Sequence, residues 1–135
     1  MPELRNYRIF ISHAWRYNEE YYRLVELLDR APYFIYANYS VPEHDAFAEM
    51  TSAQLTDQIQ AQIRPVQVVL IISGLYVNYS EWIQYEMDCA YSLHKPILAI
   101  QPWGSTNMPR QISQIANEIV GWNTDSIVDA IRRLA

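Results

Sequence analysis

Residues 66–100 read VQVVLIISGLYVNYSEWIQYEMDCAYSLHKPILAI, and the way this stretch divides decides the fold. VQVVLIIS (Val66 to Ser73) is a nearly continuous apolar run, the pattern of a strand covered on both faces. PILAI (Pro96 to Ile100) is a second short run of the same kind. Between them, the segment from Ser80 repeats apolar residues at helical spacing. Two buried-type strands joined by a helix form a parallel crossover unit. The helix has one misfit. At about 100° per residue, setting Trp82 at 0° puts Leu93 near 20°, Glu86 near 40°, Ala90 near 80° and Cys89 near 340°. Gln84, Asp88, Glu81 and Ser92 occupy the opposite arc, so Glu86 falls within the face that should pack.

Working outward, YRIFIS (Tyr7 to Ser12) reads as the first strand. A helix follows, with Asn18 as N-cap, Glu19 and Glu20 in the first turn, and Tyr21, Leu24, Val25 and Leu28 at helical spacing. YFIYAN (Tyr33 to Asn38) is the second strand and YSVPEHDAF a polar, Pro-containing loop. Met50 to Ile63 carries Leu55, Ile59 and Ile63 on one helix face, closed by Pro65. Beyond PILAI come a loop (QPWGSTNMP), a short helix (RQISQIANE), a short strand (IVGW) and a capped C-terminal helix (NTDSIVDAIRRL).

This alternation predicts an α/β fold, a flavodoxin-like three-layer sandwich on a five-stranded, mostly parallel sheet of order 2-1-3-4-5. A single domain spanning 1–135 is expected from the length. In such sheets ligands bind outside the carboxyl ends of the strands, near the switch point between the first and third. The loops bounding that site begin at Ser12, Asn38 and Ser73, and its remaining wall is the helix that carries Glu86.

Composition narrows the chemistry. Ten basic against fifteen acidic residues give a net charge of −5, which argues against a nucleic-acid partner. Cys89 is the single cysteine, so no internal disulfide forms, and its place on the apolar arc suits core packing. MPELRNYRIF lacks the pattern of a signal peptide, and the longest unbroken aliphatic run, VVLII, is far too short to span a bilayer. A cytoplasmic location with no membrane contact is expected. Eleven tyrosines suit surfaces that are apolar at one end and wet at the other.

The three glycines, Gly74, Gly104 and Gly121, are widely separated and form neither a G-x-G-x-x-G turn nor a P-loop. His13, His44 and His94 are scattered without metal-ligand spacing, so no metal is expected. His94 lies where an imidazole can meet the last helix carbonyls. His13 follows the first strand and so falls at the expected site. Ser12, His13 and Asp45 supply the residue types of a nucleophilic triad, but no G-x-S-x-G elbow is present.

Glu86 leaves three readings open. Its carboxylate escapes to solvent by a small helix rotation, pairs with a buried Arg, or lines a cleft at the sheet's carboxyl end. In a cleft it would be partly desolvated, with a raised pKa, as catalytic carboxylates often are. Ionised beneath a ribose, it could stabilise charge developing at the anomeric carbon, with Trp82 one turn away to stack on a base or sugar.

The WIQYE pattern (Trp82 to Glu86), W-x-x-x-E, resembles the active-site helix of TIR domains. YRIFISHAW resembles their first strand and FIS box, VQVVLIISGLYVNYSEW their third strand and the run after it, and KPILAI their fourth strand. YANYSVPEHDAF occupies the place of the loop after the second strand. The SHAW opening looks most like the bacterial TIR-like proteins of Thoeris anti-phage defence. That resemblance implies an NAD-consuming glycohydrolase or ADP-ribosyl cyclase. It would break the nicotinamide–ribose bond and make a signalling nucleotide for a downstream effector. NAD is then the substrate and no cofactor is expected; self-association for activity is implied.

Carried over, Glu86 is catalytic, and His13, Ala14, Trp15, Asn38, Glu43 and Trp82 line the NAD site. Ala14 and Trp15 stand where some relatives carry basic residues, with Arg16 next, and Asn38 stands where an acid is common. The alternatives are a non-catalytic TIR adaptor and an enzyme like the nucleoside deoxyribosyltransferases, in which the Glu is a covalent nucleophile.

Overall fold

The computed structural model describes residues 5–12, 19–39, 52–101 and 108–135, the side chains at 52–53, 55–56 and 74–82 excepted. Strands and helices alternate: β1 (Asn6–Ser12), α1 (Glu19–Asp29), β2 (Ile35–Asn38), α2 (Ser52–Ile63), β3 (Val68–Ile72), α3 (Ser73–Ser92), β4 (Ile97–Gln101), α4 (Arg110–Ile115), β5 (Glu118–Gly121) and α5 (Thr124–Leu134). The sheet is parallel throughout, in the order β2-β1-β3-β4-β5. This is the α/β flavodoxin-like arrangement that the alternation predicts.

Apolar content explains which strands lie inside. Every residue of β3 is buried, as are the last four of β1 and the first four of β4. Such strands bury both faces only when helices cover both sides of the sheet. The edge strands β2 and β5 are shorter and partly exposed. α1, through Leu24 and Leu28, shares a face with α5, which contributes Ile127, Val128, Ala130 and Ile131. α2 and α4 pack against α3, bringing Ile59, Ile63 and Ile112 to a core that includes Ile83, Met87 and Ala90.

Local signals set several boundaries. The Asn123 side chain accepts a hydrogen bond from the Ser126 N–H at 3.1 Å and caps α5. Asp125 in the first turn and Arg132 and Arg133 in the last complement the helix dipole. Tyr33 lies outside β2 because it adopts φ 58°, a left-handed turn conformation that a strand does not accommodate.

One boundary departs from expectation. Ser73 does not open a loop: β3 passes directly into α3, which begins there. No side chain caps this helix start, and Ile72 occupies the N-cap position. The capping-type residues Asn78 and Ser80 come later in the sequence, so local signals place the start too far along.

Candidate active site

The sheet order reverses beside β1, which has β2 on one side and β3 on the other. Ser12 is the last residue of β1 and is in register with Ile71 of β3, at the carboxyl edge of the central strands. α3 brings Glu86 to this point. The Ser12 hydroxyl donates to Glu86 Oε1 at 3.3 Å, with Ser12 0% and Glu86 1% exposed.

That burial settles the position of the carboxylate. Glu86 neither reaches solvent nor, among the described residues, forms an ion pair with an arginine. The helix dipole gives it little help, because Glu86 lies about 20 Å along α3 from its start, far beyond the first turn. Desolvation therefore dominates. A single hydroxyl contact, longer than the usual O–H···O distance, offsets only part of it. Burial pushes the Glu86 carboxyl up from 4.5 to about 8, with the Ser12 hydrogen bond pulling the other way. At neutral pH the resting group is mostly protonated.

Cys89, one turn further along α3, is 8% exposed. Its thiol is raised by burial and then by the charge of Glu86, while Arg64 draws it down. A raised thiol is a poor nucleophile, which agrees with a packing role.

Of the other expected site residues, Asn38 ends β2 in register with Ile9, and its Nδ2 donates to the Tyr21 hydroxyl at 2.9 Å. β1 runs on for three residues beyond Ile9, about 10 Å, before it reaches Ser12. Asn38 is thus tied to α1 and set back from the Glu86 corner. Trp82 lies on α3 one turn before Glu86, and its side chain is outside the described residues, as are His13, Ala14, Trp15 and Glu43. His94 follows α3 with φ 58°, its N–H donating to the Tyr91 carbonyl.

Two serines that the sequence marked only as strand ends at the site, Ser12 and Ser73, are buried there. Ser12 contacts the carboxylate directly, and the available signal was its position: a polar residue closing the apolar run of β1. Ser73, 1% exposed where β3 meets α3, has a hydroxyl without a hydrogen-bond partner. Among the described residues no group of His, Cys, Asp and Glu could hold a metal, and no helix is long and apolar enough to cross a membrane. A hollow of about 350 Å³ lined by Tyr91, Lys95, Ile97 and Asn117 lies at the amino end of β4, the opposite edge from Glu86.

Comparisons with known proteins agree with this architecture. The family model for "Thoeris protein ThsB, TIR-like domain" matches residues 10–107. No curated protein sequence matches the chain. Among solved structures, the CMP N-glycosidase BcmB of Clostridium botulinum superposes with a TM-score of 0.54 at 16% identity, covering 95% of this chain and 99% of that one. At that identity the likeness is one of fold.

Proposed function

From the premise that the chain belongs to the TIR-like family of the Thoeris protein ThsB, we propose that it is an enzyme that cleaves the N-glycosidic bond between nicotinamide and ribose in NAD. The observation that carries this reading is the Glu86 carboxyl, buried at the switch point of the sheet and held by Ser12. The structural neighbour BcmB is a CMP N-glycosidase, which supports the same class of bond. An adaptor has no use for a buried ionisable group that lowers stability once ionised, so the adaptor reading leaves Glu86 unexplained.

In the proposed step the C1′–N bond breaks and its electron pair leaves with the nicotinamide. The pyridinium is cationic in NAD, so the leaving group departs neutral and needs no proton. Positive charge develops at the ribose C1′, where the ionised Glu86 stabilises the oxocarbenium-like state. A cationic substrate also favours the ionised carboxyl on entry, because an opposite charge lowers a carboxyl pKa. Water, giving up a proton, or a nucleophile within the ADP-ribosyl group then takes the C1′ position. The second outcome yields a cyclic nucleotide, which fits a signal made for a downstream effector in anti-phage defence.

NAD is a substrate here, and no resident cofactor takes part. A cytoplasmic setting and a second protomer completing the cleft belong to the same reading. The test is incubation with NAD and, separately, CMP, with wild type beside Glu86→Gln and products resolved by chromatography and mass spectrometry. Nicotinamide release by wild type and its loss in Glu86→Gln are expected. Equal turnover in both proteins refutes the reading. A glycosyl adduct trapped on Glu86 indicates the covalent route of a deoxyribosyltransferase-like enzyme instead.

A further inference from the structure

Ser12 owes its position to the pairing of β1 with the central strand β3. β1 pairs with β2 through Asn6–Ile9 and with β3 through Ile9–Ser12, so Ser12 itself is held on the β3 side, in register with Ile71. That pairing limits its backbone, and its fully buried side chain has few rotamers open to it. Glu86 is different. It hangs from a helix, with three side-chain torsions, and that helix packs on the apolar strands β3 and β4.

The charged and titratable surroundings are sparse. Along α3, Cys89 shares the corner, and Arg64, just past α2, acts on Cys89. α2 and α4 contribute Ile59, Ile63 and Ile112 to the buried layer. Among the described residues, then, the Ser12 hydroxyl is the polar group bonded to the carboxyl, and its anchor is the rigid partner.

The geometry points to Ser12 as a positioning residue that holds the Glu86 carboxyl in one orientation and biases it toward its ionised form. The inference rests on Glu86 acting as the carboxylate of a glycosidic cleavage, but its first consequence is visible without any substrate. A hydroxyl that donates to a carboxylate favours the charged form, and removing it leaves desolvation unopposed. For one hydrogen bond the expected change is roughly half a unit to one unit of pKa.

The experiment compares wild type, Ser12→Ala and Ser12→Thr as full chains. The Glu86 carboxyl is titrated by carbon-13 NMR, its resonance assigned by its disappearance in Glu86→Gln. Ser12→Ala should move the midpoint upward by roughly half a unit to one unit, and Ser12→Thr, which keeps the hydroxyl, should restore it. With NAD as substrate, the acid limb of the kcat/KM profile should shift in the same direction in Ser12→Ala and return in Ser12→Thr. An unchanged midpoint in folded Ser12→Ala overturns the proposal. So does a shift of equal size in Ser12→Thr, which would mark a packing effect.

If Ser12→Ala fails to fold, Ser12→Cys, a weaker donor of similar size, takes its place and should give a smaller upward shift; no shift overturns the proposal. A protein inert toward NAD but showing the titration shifts leaves Ser12 as the group that sets Glu86 and removes the glycohydrolase reading alone.

Discussion

In the unfolded chain the Glu86 carboxyl titrates near its ordinary value of 4.5, and in the fold at about 8. Below pH 4.5 both states are protonated and the group has no effect on stability. Between the two values the unfolded state loses its proton while the native state keeps it, so stability falls as pH rises. Above about 8 the whole penalty is present. Each unit is worth about 1.4 kcal/mol, so the penalty reaches a few kcal/mol. Glu86→Gln removes the ionisation but buries an amide, which returns part of the gain. Thermal melts should accordingly find Glu86→Gln more stable than wild type at pH 8, with the difference gone by pH 4. The catalytic consequence has the opposite sense. If the ionised form does the chemistry, kcat/KM should rise with pH through about 8, and a rate that is flat from pH 6 to 9 would count against Glu86 as the acting carboxylate.

Helix ends and strand interiors are where element-scale substitutions tell. Asn123 caps α5 just past the carboxyl end of β5, three strands across the sheet from the β1 residue that meets Glu86. Asn123→Ala should lower stability by about 1 kcal/mol in chemical denaturation and leave turnover per folded molecule unchanged. Leu70, at the centre of β3 and 0% exposed, is a different case. Leu70→Ala leaves a cavity where relaxation from either layer is limited, at a cost of about 2–5 kcal/mol by the same measurement. The side chains that pack the sheet were readable from their runs of Val, Ile and Leu. The start of α3 was not, because no cap marks it and its boundary is set by the strand feeding it.

Over the whole molecule, stability should be graded across the sheet. β1, β3 and β4 are paired on both sides and buried on both faces, whereas β2 and β5 each have an open edge, with Ile35 and Ile119 about half exposed. Native-state hydrogen exchange should protect the amides of Val69 to Ile72 most strongly and those of β2 and β5 least, as local opening begins where fewest contacts are lost. Equal protection across all five strands would contradict this grading. The Glu86 corner sits on the central strands, which suits a carboxyl that must be held against the preference of charge for water.

By itself the sequence determined the order of elements, the buried strands and the parallel sheet, because runs of apolar residues and helical spacing are local patterns with one packed solution. It also marked Glu86 as a carboxylate on a face that should be covered. Periodicity could not decide between solvent, an arginine and a cleft, since all three begin from the same helix position. Only the tertiary structure removed the first two, since Glu86 is buried and, among the described residues, forms no pair with an arginine. It brought β1 and α3, 74 residues apart in the chain, to one corner and set the Ser12 hydroxyl against the carboxyl. It also drew Asn38 toward Tyr21 and away from that corner. Such pairings follow from the register of strands and the seating of helices, which no window of sequence contains.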